Sequence, residues 1–244
     1  MRQLRFYVPL ELQVGHCYLI PEEKARHMIQ VLRLSVGAEF VLFNGDGCEY
    51  SSKLTEVKKK LVSVNVLASR VVDRESKLKV HLLQGLSKGE RMDATIQKCV
   101  ELGVSLIHPI NTSRSNLRLN EDRQQKKYMH WLKVIQSACE QSGRNMLPQL
   151  QHVNDFSSVV CGYSSNSGLK LILHPLADKK WSQFEGVPEE VVLLVGPEGG
   201  FGEDELELAM RCGFSSVSLG PRILRTETAA MTVMAGIQST WGDI

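Results

Sequence analysis

Three short segments of this sequence combine residue types that can hold a small polar ligand. They are Leu173-His174-Pro175-Leu176, Gly196-Pro197-Glu198-Gly199-Gly200-Phe201-Gly202 and Leu219-Gly220-Pro221-Arg222-Ile223-Leu224-Arg225-Thr226-Glu227-Thr228. Each begins where a short apolar run, read as a buried strand, ends. In open α/β sheets a ligand sits in the crevice at the carboxyl ends of the strands, so three such loops together mark one site. Glycines let the ligand approach the backbone, and exposed N–H and C=O groups there can read the polar edges of an adenine. Phosphate suits the middle segment poorly. It runs G-x-x-G-G-x-G rather than G-x-G-x-x-G, and Pro197 and Glu198 stand where a pyrophosphate wants N–H donors and no negative charge. The next strand ends Ser216-Val217-Ser218-Leu219 without the acid that holds a ribose, and no G-x-x-x-x-G-K-[ST] occurs. The same glycines also suit a pair of tight turns in a crowded crossover.

Metal chemistry finds no support. The six cysteines, Cys17, Cys48, Cys99, Cys139, Cys161 and Cys212, stand singly with no C-x-x-C, and the seven histidines form no H-E-x-x-H. No metal site is expected.

The elements that must carry these loops follow from the pattern. From Leu78 the grammar alternates strand and helix, the signature of an α/β sheet with crossover connections. Strands are predicted at Leu78 to Leu82, Val104 to Ile110, Leu169 to Leu173, Val191 to Val195 and Ser216 to Leu219. Helices are predicted at Glu90 to Leu102, Asp122 to Ser142, Asp204 to Cys212 and Thr226 to Trp241. The longest places Tyr128, Trp131, Leu132, Ile135, Ala138 and Cys139 on one face. Val153 to Ser167 is poor in pattern and reads as loop with a short helix at most. The first seventy residues read as strands with one helix, Pro21 to Val31. Asn44-Gly45-Asp46-Gly47 between Glu39–Phe43 and Cys48–Val57 is a hairpin signal, and a further strand follows at Leu61 to Leu67. Ser69 to Lys77 is polar and aperiodic, as a linker is, which predicts a β-rich domain over 1–72 and an α/β domain over 73–244.

Charge is divided along the chain. Residues 1–150 carry 23 Lys and Arg against 15 Asp and Glu, whereas residues 151–244 carry 6 against 12, so a net charge of +2 conceals a basic and an acidic part. A basic face suits a polyanion such as RNA. With 43% hydrophobic and 23% charged residues the composition is that of a globular protein with a packed core. The longest purely apolar run, Val191 to Val195, falls far short of the roughly 20 residues a membrane helix needs, and the first residues lack the pattern of a signal peptide. No membrane partner and cytoplasmic residence are expected.

Val195-Gly196-Pro197-Glu198-Gly199-Gly200-Phe201, followed by Leu219-Gly220-Pro221-Arg222-Ile223-Leu224-Arg225-Thr226-Glu227-Thr228-Ala229, resembles the paired cofactor motifs of the SPOUT RNA methyltransferases. More narrowly the chain resembles the RsmE family, the small-subunit ribosomal RNA uridine N3-methyltransferases. Gln97-Lys98-Cys99-Val100-Glu101-Leu102-Gly103-Val104, Ser113-Arg114-Ser115, His27 through Arg33 and Asn44-Gly45-Asp46-Gly47 extend the likeness over nearly the whole chain. Pro221 departs from the Lys or Arg that the family more often carries there. The resemblance implies an N-terminal PUA-like β-barrel that binds RNA, joined to an α/β domain threaded into a deep trefoil knot. Knots are so rare that no sequence pattern alone suggests one. It further implies S-adenosylmethionine as cofactor, a homodimer, and methylation of N3 of the uridine at position 1498 of 16S ribosomal RNA on assembled small subunits. A noncatalytic ribosome-assembly factor that keeps the fold without turnover is the alternative.

Under that resemblance, Leu173, Val195, Gly196, Leu219, Gly220 and Leu224 are expected to meet adenine and ribose through their backbone. Leu176 and Ile223 serve as apolar walls, Gly200 leaves room for the methionine part, and His174 and Pro197 lie among them. Uracil N3 carries an imide proton that must be removed or its anion stabilised. Arg225 is the leading catalytic candidate, because a guanidinium beside the base stabilises charge on a uracil carbonyl oxygen. A salt bridge from Arg225 to Glu198 or Glu227 is the structural alternative. Glu198 is a candidate proton acceptor or an acceptor of loop N–H bonds, and Thr226 reads as a helix cap. Arg114, between Ser113 and Ser115, is placed to touch phosphate or a partner subunit, and Arg2, Arg5, Arg33 and the run Lys58-Lys59-Lys60 are RNA-contact candidates.

Overall fold

The computed structural model describes residues 3–58, 61–115 and 120–244. Arg2, Lys59 and Lys60 therefore lie outside the described residues. Tertiary contacts divide the chain into two units, residues 1–75 with 139–147, and residues 76–138 with 148–244. The sequence-based division at 72/73 does not foresee that 139–147 pack with the first unit.

In the first unit, strands β1 (Arg5–Tyr7), β2 (Cys17–Leu19), β3 (Glu39–Phe43), β4 (Cys48–Lys58) and β5 (Leu61–Val71) form a sheet in the order β1-β3-β4-β5-β2. Helix α1 (Glu22–Arg26) runs on into a π-helical turn, His27–Val31. Only β1 and β3 are parallel. Alternation dictates the inward face: Val62, Val64 and Val66 of β5 are buried while their neighbours are more exposed. They meet Phe6, Phe40, Leu42, Tyr50 and Leu54, with Ile20, Ala25 and Met28 completing one apolar core. The register shifts between Ser51 and Ser52 and between Leu54 and Glu56, irregularities of the kind that twist a long hairpin around its core. At the β3–β4 turn, Gly45 and Gly47 have φ of 100° and 87°, and Asp46 accepts the Cys48 N–H at 2.8 Å and the Tyr50 hydroxyl at 2.6 Å. The expected linker is in part strand, because Ser69–Val71 continue β5 and pair with Cys48–Tyr50.

In the second unit, seven parallel strands lie in the order β12-β10-β11-β6-β7-β8, with β9 also on β7. They are β6 (Lys79–Gly85), β7 (Leu106–Asn111), β8 (Gln149–Leu150), β9 (Asn154–Asp155), β10 (Leu169–Leu173), β11 (Glu190–Val195) and β12 (Ser215–Val217). The helices are α2 (Arg91–Glu101), α3 (Glu121–Ser142), α4 (Phe156–Gly162), α5 (Glu203–Arg211) and α6 (Thr226–Trp241). Val191 to Val195 are all buried, as a parallel strand covered on both faces requires. Phe156, Val159 and Val160 of α4 join Ala209, Cys212 and Phe214 around α5 in a core with Ile172, Val192 and Leu194. Helices α2 and α6 pack on each other, and α6 also packs on β11. Trp181, in the β10–β11 connection, lies so close to Gly236 of α6 that a Cβ there would come within 2.4 Å of its ring. Helix α6 thus packs against both β11 and the connection that joins it to β10.

Candidate active site

Four strand ends meet at one edge of the parallel sheet. After β11 the backbone turns sharply, with Gly200 N–H bonded to Pro197 O at 2.9 Å and Gly200 at φ 66°. Gly85, the last residue of β6, faces this turn so closely that an added Cβ would stand 2.5 Å from Pro197 Cδ and 2.6 Å from its N. Thr226 was expected to cap the last helix, but Arg225 occupies the N-cap position. The Thr226 hydroxyl instead donates to Gly196 O at 2.6 Å and accepts Gln84 Nε2 at 3.0 Å. One buried hydroxyl thereby ties the start of α6 to the ends of β6 and β11.

These loops enclose a cavity of about 590 Å³. Its lining includes Leu173, His174, Leu176, Val195, Gly196, Pro197, Gly200, Leu219, Gly220, Ile223 and Leu224, together with Glu198, Arg225 and Arg114. All of these were singled out in the sequence. Phe201 and Ala229, which lie within the motifs but carry no assigned role there, also line it, as does Arg91, which lies outside them. Leu176 and Ile223 are 85% and 86% exposed, apolar walls with no core behind them. Replacing Gly85 by alanine is expected to push the Pro197 turn away and to cost about 1–3 kcal/mol, as overpacking does. Gly162→Ala, where nothing lies within 4 Å of the new Cβ, serves as the comparison in urea unfolding and should be neutral or stabilising.

Charge at the cavity is arranged around Arg91, at the start of α2. Its Nη1 bonds Glu198 Oε1 at 2.5 Å, and its Nε stands 4.0 Å from Glu227 Oε1. The Lys88 N–H also donates to Glu198 Oε1, at 3.1 Å. Burial alone raises the Glu198 pKa, but its own and the Lys88 backbone N–H groups and the Arg91 guanidinium outweigh burial and hold it below the ordinary carboxylate value. A carboxylate so held is a weaker proton acceptor, and the geometry makes Glu198 a fastener of its loop. The other Glu227 oxygen, Oε2, is buried without a hydrogen-bond partner among the described residues. Arg225 is exposed at the cavity and forms no ion pair with Glu198, Glu227 or any other described residue. Arg114 Nη1 donates to Gly199 O at 3.1 Å, and Glu205 fastens the adjoining loop by accepting the Ser113 N–H at 2.7 Å and the Gly202 N–H at 2.8 Å.

The basic candidates of the first unit separate. Arg33 is exposed, with a left-handed φ of 54°. Arg5 is not a surface residue: its side chain is 8% exposed, bonds Glu49, Arg144 O and Asn145 Oδ1, and lies over the Phe43 ring. Burial and the bonds of its Nη atoms inside the unit remove it from the RNA-contact candidates. Among the described residues no group of three or more His, Cys, Asp or Glu side chains is placed to hold a metal ion, and no helix is long and apolar enough to cross a membrane.

Residues 74–238 match the RNA methyltransferase domain family, and residues 20–67 match the RNA methyltransferase PUA domain. The ribosomal RNA small subunit methyltransferase E of Bacillus subtilis is 31% identical over 252 residues, covering 96% of this chain and 95% of its own. That of Buchnera aphidicola from Acyrthosiphon pisum is 30% identical over 240 residues, covering 98% and 94%. Among solved structures, a ribosomal RNA small subunit methyltransferase E from Neisseria gonorrhoeae bound to S-adenosyl methionine has 36% identity and a TM-score of 0.92 over 100% of both chains. A Legionella pneumophila protein described as a methyltransferase in complex with the cofactor SAM has 42% identity and a TM-score of 0.96, again over 100% of both.

Proposed function

The chain belongs to the ribosomal RNA small subunit methyltransferase E family, and on that footing we propose that it is an S-adenosylmethionine-dependent enzyme that methylates N3 of the uridine at position 1498 of 16S ribosomal RNA in the small subunit. The observation that carries this reading is the single cavity that collects every residue expected to face the cofactor, with Arg225 at its edge.

The cavity fits that cofactor in size and chemistry. Ligand pockets run to about 300–1,000 Å³ and are mostly apolar with a few polar groups, and here leucines, Val195 and Ile223 surround glycine backbone. The absence of a Cβ at Gly85 and Gly196 lets the turn after β11 pack tightly, against Pro197 in the first case and against Gly200 and Phe201 in the second, and Thr226 holds the carbonyl of Gly196 in place. When bound, S-adenosylmethionine supplies an electrophilic methyl group on its sulfonium. The protein's part is positional and electrostatic. Leu176 and Ile223 offer apolar walls to the cofactor, and the Arg91–Glu198 pair holds the 196–202 loop. Arg225 stabilises negative charge on a uracil carbonyl oxygen as the N3 proton departs.

In this reading residues 1–72 are a PUA-like RNA-binding domain and residues 73–244 the catalytic domain. Arg33 and Arg114 contact phosphate, the enzyme is a homodimer, and it works in the cytoplasm on assembled small subunits. The supports are the basic balance of the first 150 residues and the family resemblance. The test is incorporation of labelled methyl from S-adenosylmethionine into small subunits lacking the modification, with free 16S RNA and transfer RNA alongside. Label recovered as 3-methyluridine from subunits alone is the expected result. Label in another nucleoside would discard the assigned acceptor atom, and cofactor binding without transfer would favour an assembly factor.

A further inference from the structure

Two of the six cysteines, far apart in sequence, meet in the fold. Cys161 is exposed near the end of α4, and Cys212, the C-cap residue of α5, is 7% exposed. Their Sγ atoms are 3.7 Å apart. A disulfide needs about 2.0 Å, so roughly 1.7 Å of approach is required, within reach of small side-chain rotations. Cys99 and Cys139, by contrast, are buried thiols pushed up to about 12 by burial.

We propose that Cys161 and Cys212 form a dithiol–disulfide couple that takes a low-molecular-weight disulfide as its oxidant and links α4 to α5.

The chemistry is a two-step exchange. The exposed Cys161 thiolate attacks one sulfur of the small disulfide, forming a mixed disulfide and releasing one small thiolate. Cys212 then loses its proton to solvent and attacks the Cys161 sulfur, which forms the internal bond and releases the second small thiol. The two protein thiols are oxidised by two electrons, and the small disulfide is reduced to two thiols. The surroundings favour this order of events. Burial raises the Cys212 thiol, the hydrogen bond and charge of Cys161 raise it further, and Arg211 and Lys170 oppose both. Capping Cys161 removes its contribution and leaves the two cations, so the second thiol becomes easier to ionise once the first has reacted.

The link bears on the cavity wall. Phe156 of α4 packs against Phe201 with ring centroids 5.6 Å apart, and α5 starts two residues after Phe201, which lines the cavity. Joining α4 to α5 would fix the two helices between which that ring is held.

The test treats the full-length native chain with glutathione disulfide, quenches with acid and maps peptides without reduction. The expected result is a linked Cys161–Cys212 peptide, while the exposed Cys17 keeps a glutathionyl group and so reports that the reagent was active. Cys212→Ser should leave Cys161 permanently glutathionylated, and Cys161→Ser should leave Cys212 as a free thiol. A wild-type chain in which Cys161 keeps its glutathionyl group as Cys17 does, or in which Cys161 stays unmodified while Cys17 reacts, overturns the proposal.

Discussion

Glu49→Gln is expected to destabilise the first unit by roughly 3–5 kcal/mol, the cost of breaking a buried ion cluster from one side. The Glu49 side chain is 2% exposed and meets three guanidiniums, those of Arg5, Arg70 at 2.6 Å and Arg74 at 2.7 Å. Burial alone would raise its pKa, but the hydrogen bonds from Arg74, Arg70 and Arg5 win and hold it at about 2, against an ordinary 4.5. Burial lowers the Arg5 pKa, and the hydrogen bond and charge of Glu49 oppose that shift without overcoming it, so the desolvation of Arg5 offsets part of what the contact contributes. The pH dependence follows from the depressed pKa. Stability from Glu49 is present in full above 4.5 and is lost as the pH falls from 4.5 towards about 2. The difference between wild type and variant should therefore close over that window. All three tryptophans, Trp131, Trp181 and Trp241, belong to the second unit, so hydrogen exchange of β3–β5 amides is the proper readout. An unchanged exchange rate in the variant at neutral pH would contradict a stabilising cluster.

Arg225→Ala is expected to lower the rate of methyl transfer by about 10²–10³-fold, the usual effect of removing a donor aimed at developing charge. Cofactor affinity should change little, because the groups expected to hold the cofactor are the backbone of other residues and Arg225 makes no ion pair with a described residue. Arg225→Lys should recover only part of the loss, since an ammonium lacks the planar fork of a guanidinium. Single-turnover transfer to small subunits, read beside a cofactor titration, separates the two quantities. A parallel fall in affinity and rate would make Arg225 a shaping element of its loop instead.

The loops that line the cavity were legible because apolar runs stop at or just before glycine or proline, a signal confined to a few neighbouring residues. The end of β11 at Gly196 and the Asn44–Gly47 hairpin are of this kind, while Pro175 and Gly220 follow the ends of β10 and β12 by two and three residues. What escaped notice depends on partners far apart in sequence. Nothing near Glu198 announces Arg91, 107 residues away, and nothing near Thr226 announces Gly196 and Gln84. Arg5 reads as a surface cation until Glu49 and Asn145 are brought to it. Helix α4 buries only Phe156, Val159 and Val160 in seven residues, too short a run for a period to show. Ser69 to Val71 lack alternation because that end of β5 is exposed throughout, so a strand there looked like a linker.

The interleaving of the two units sets the order in which a ribosome can complete them. Residues 139–147 follow Glu75 by about 70 residues, a delay on the order of 4–14 s at ordinary elongation rates. Throughout that interval Arg5 lacks Asn145 and Glu75 lacks Arg144. Strand β6 has by then emerged, but its neighbour β11 is made later still, and α6 after that. Translation thus delivers two unfinished folds at the same time, and each becomes resistant to proteolysis only when its late segment arrives.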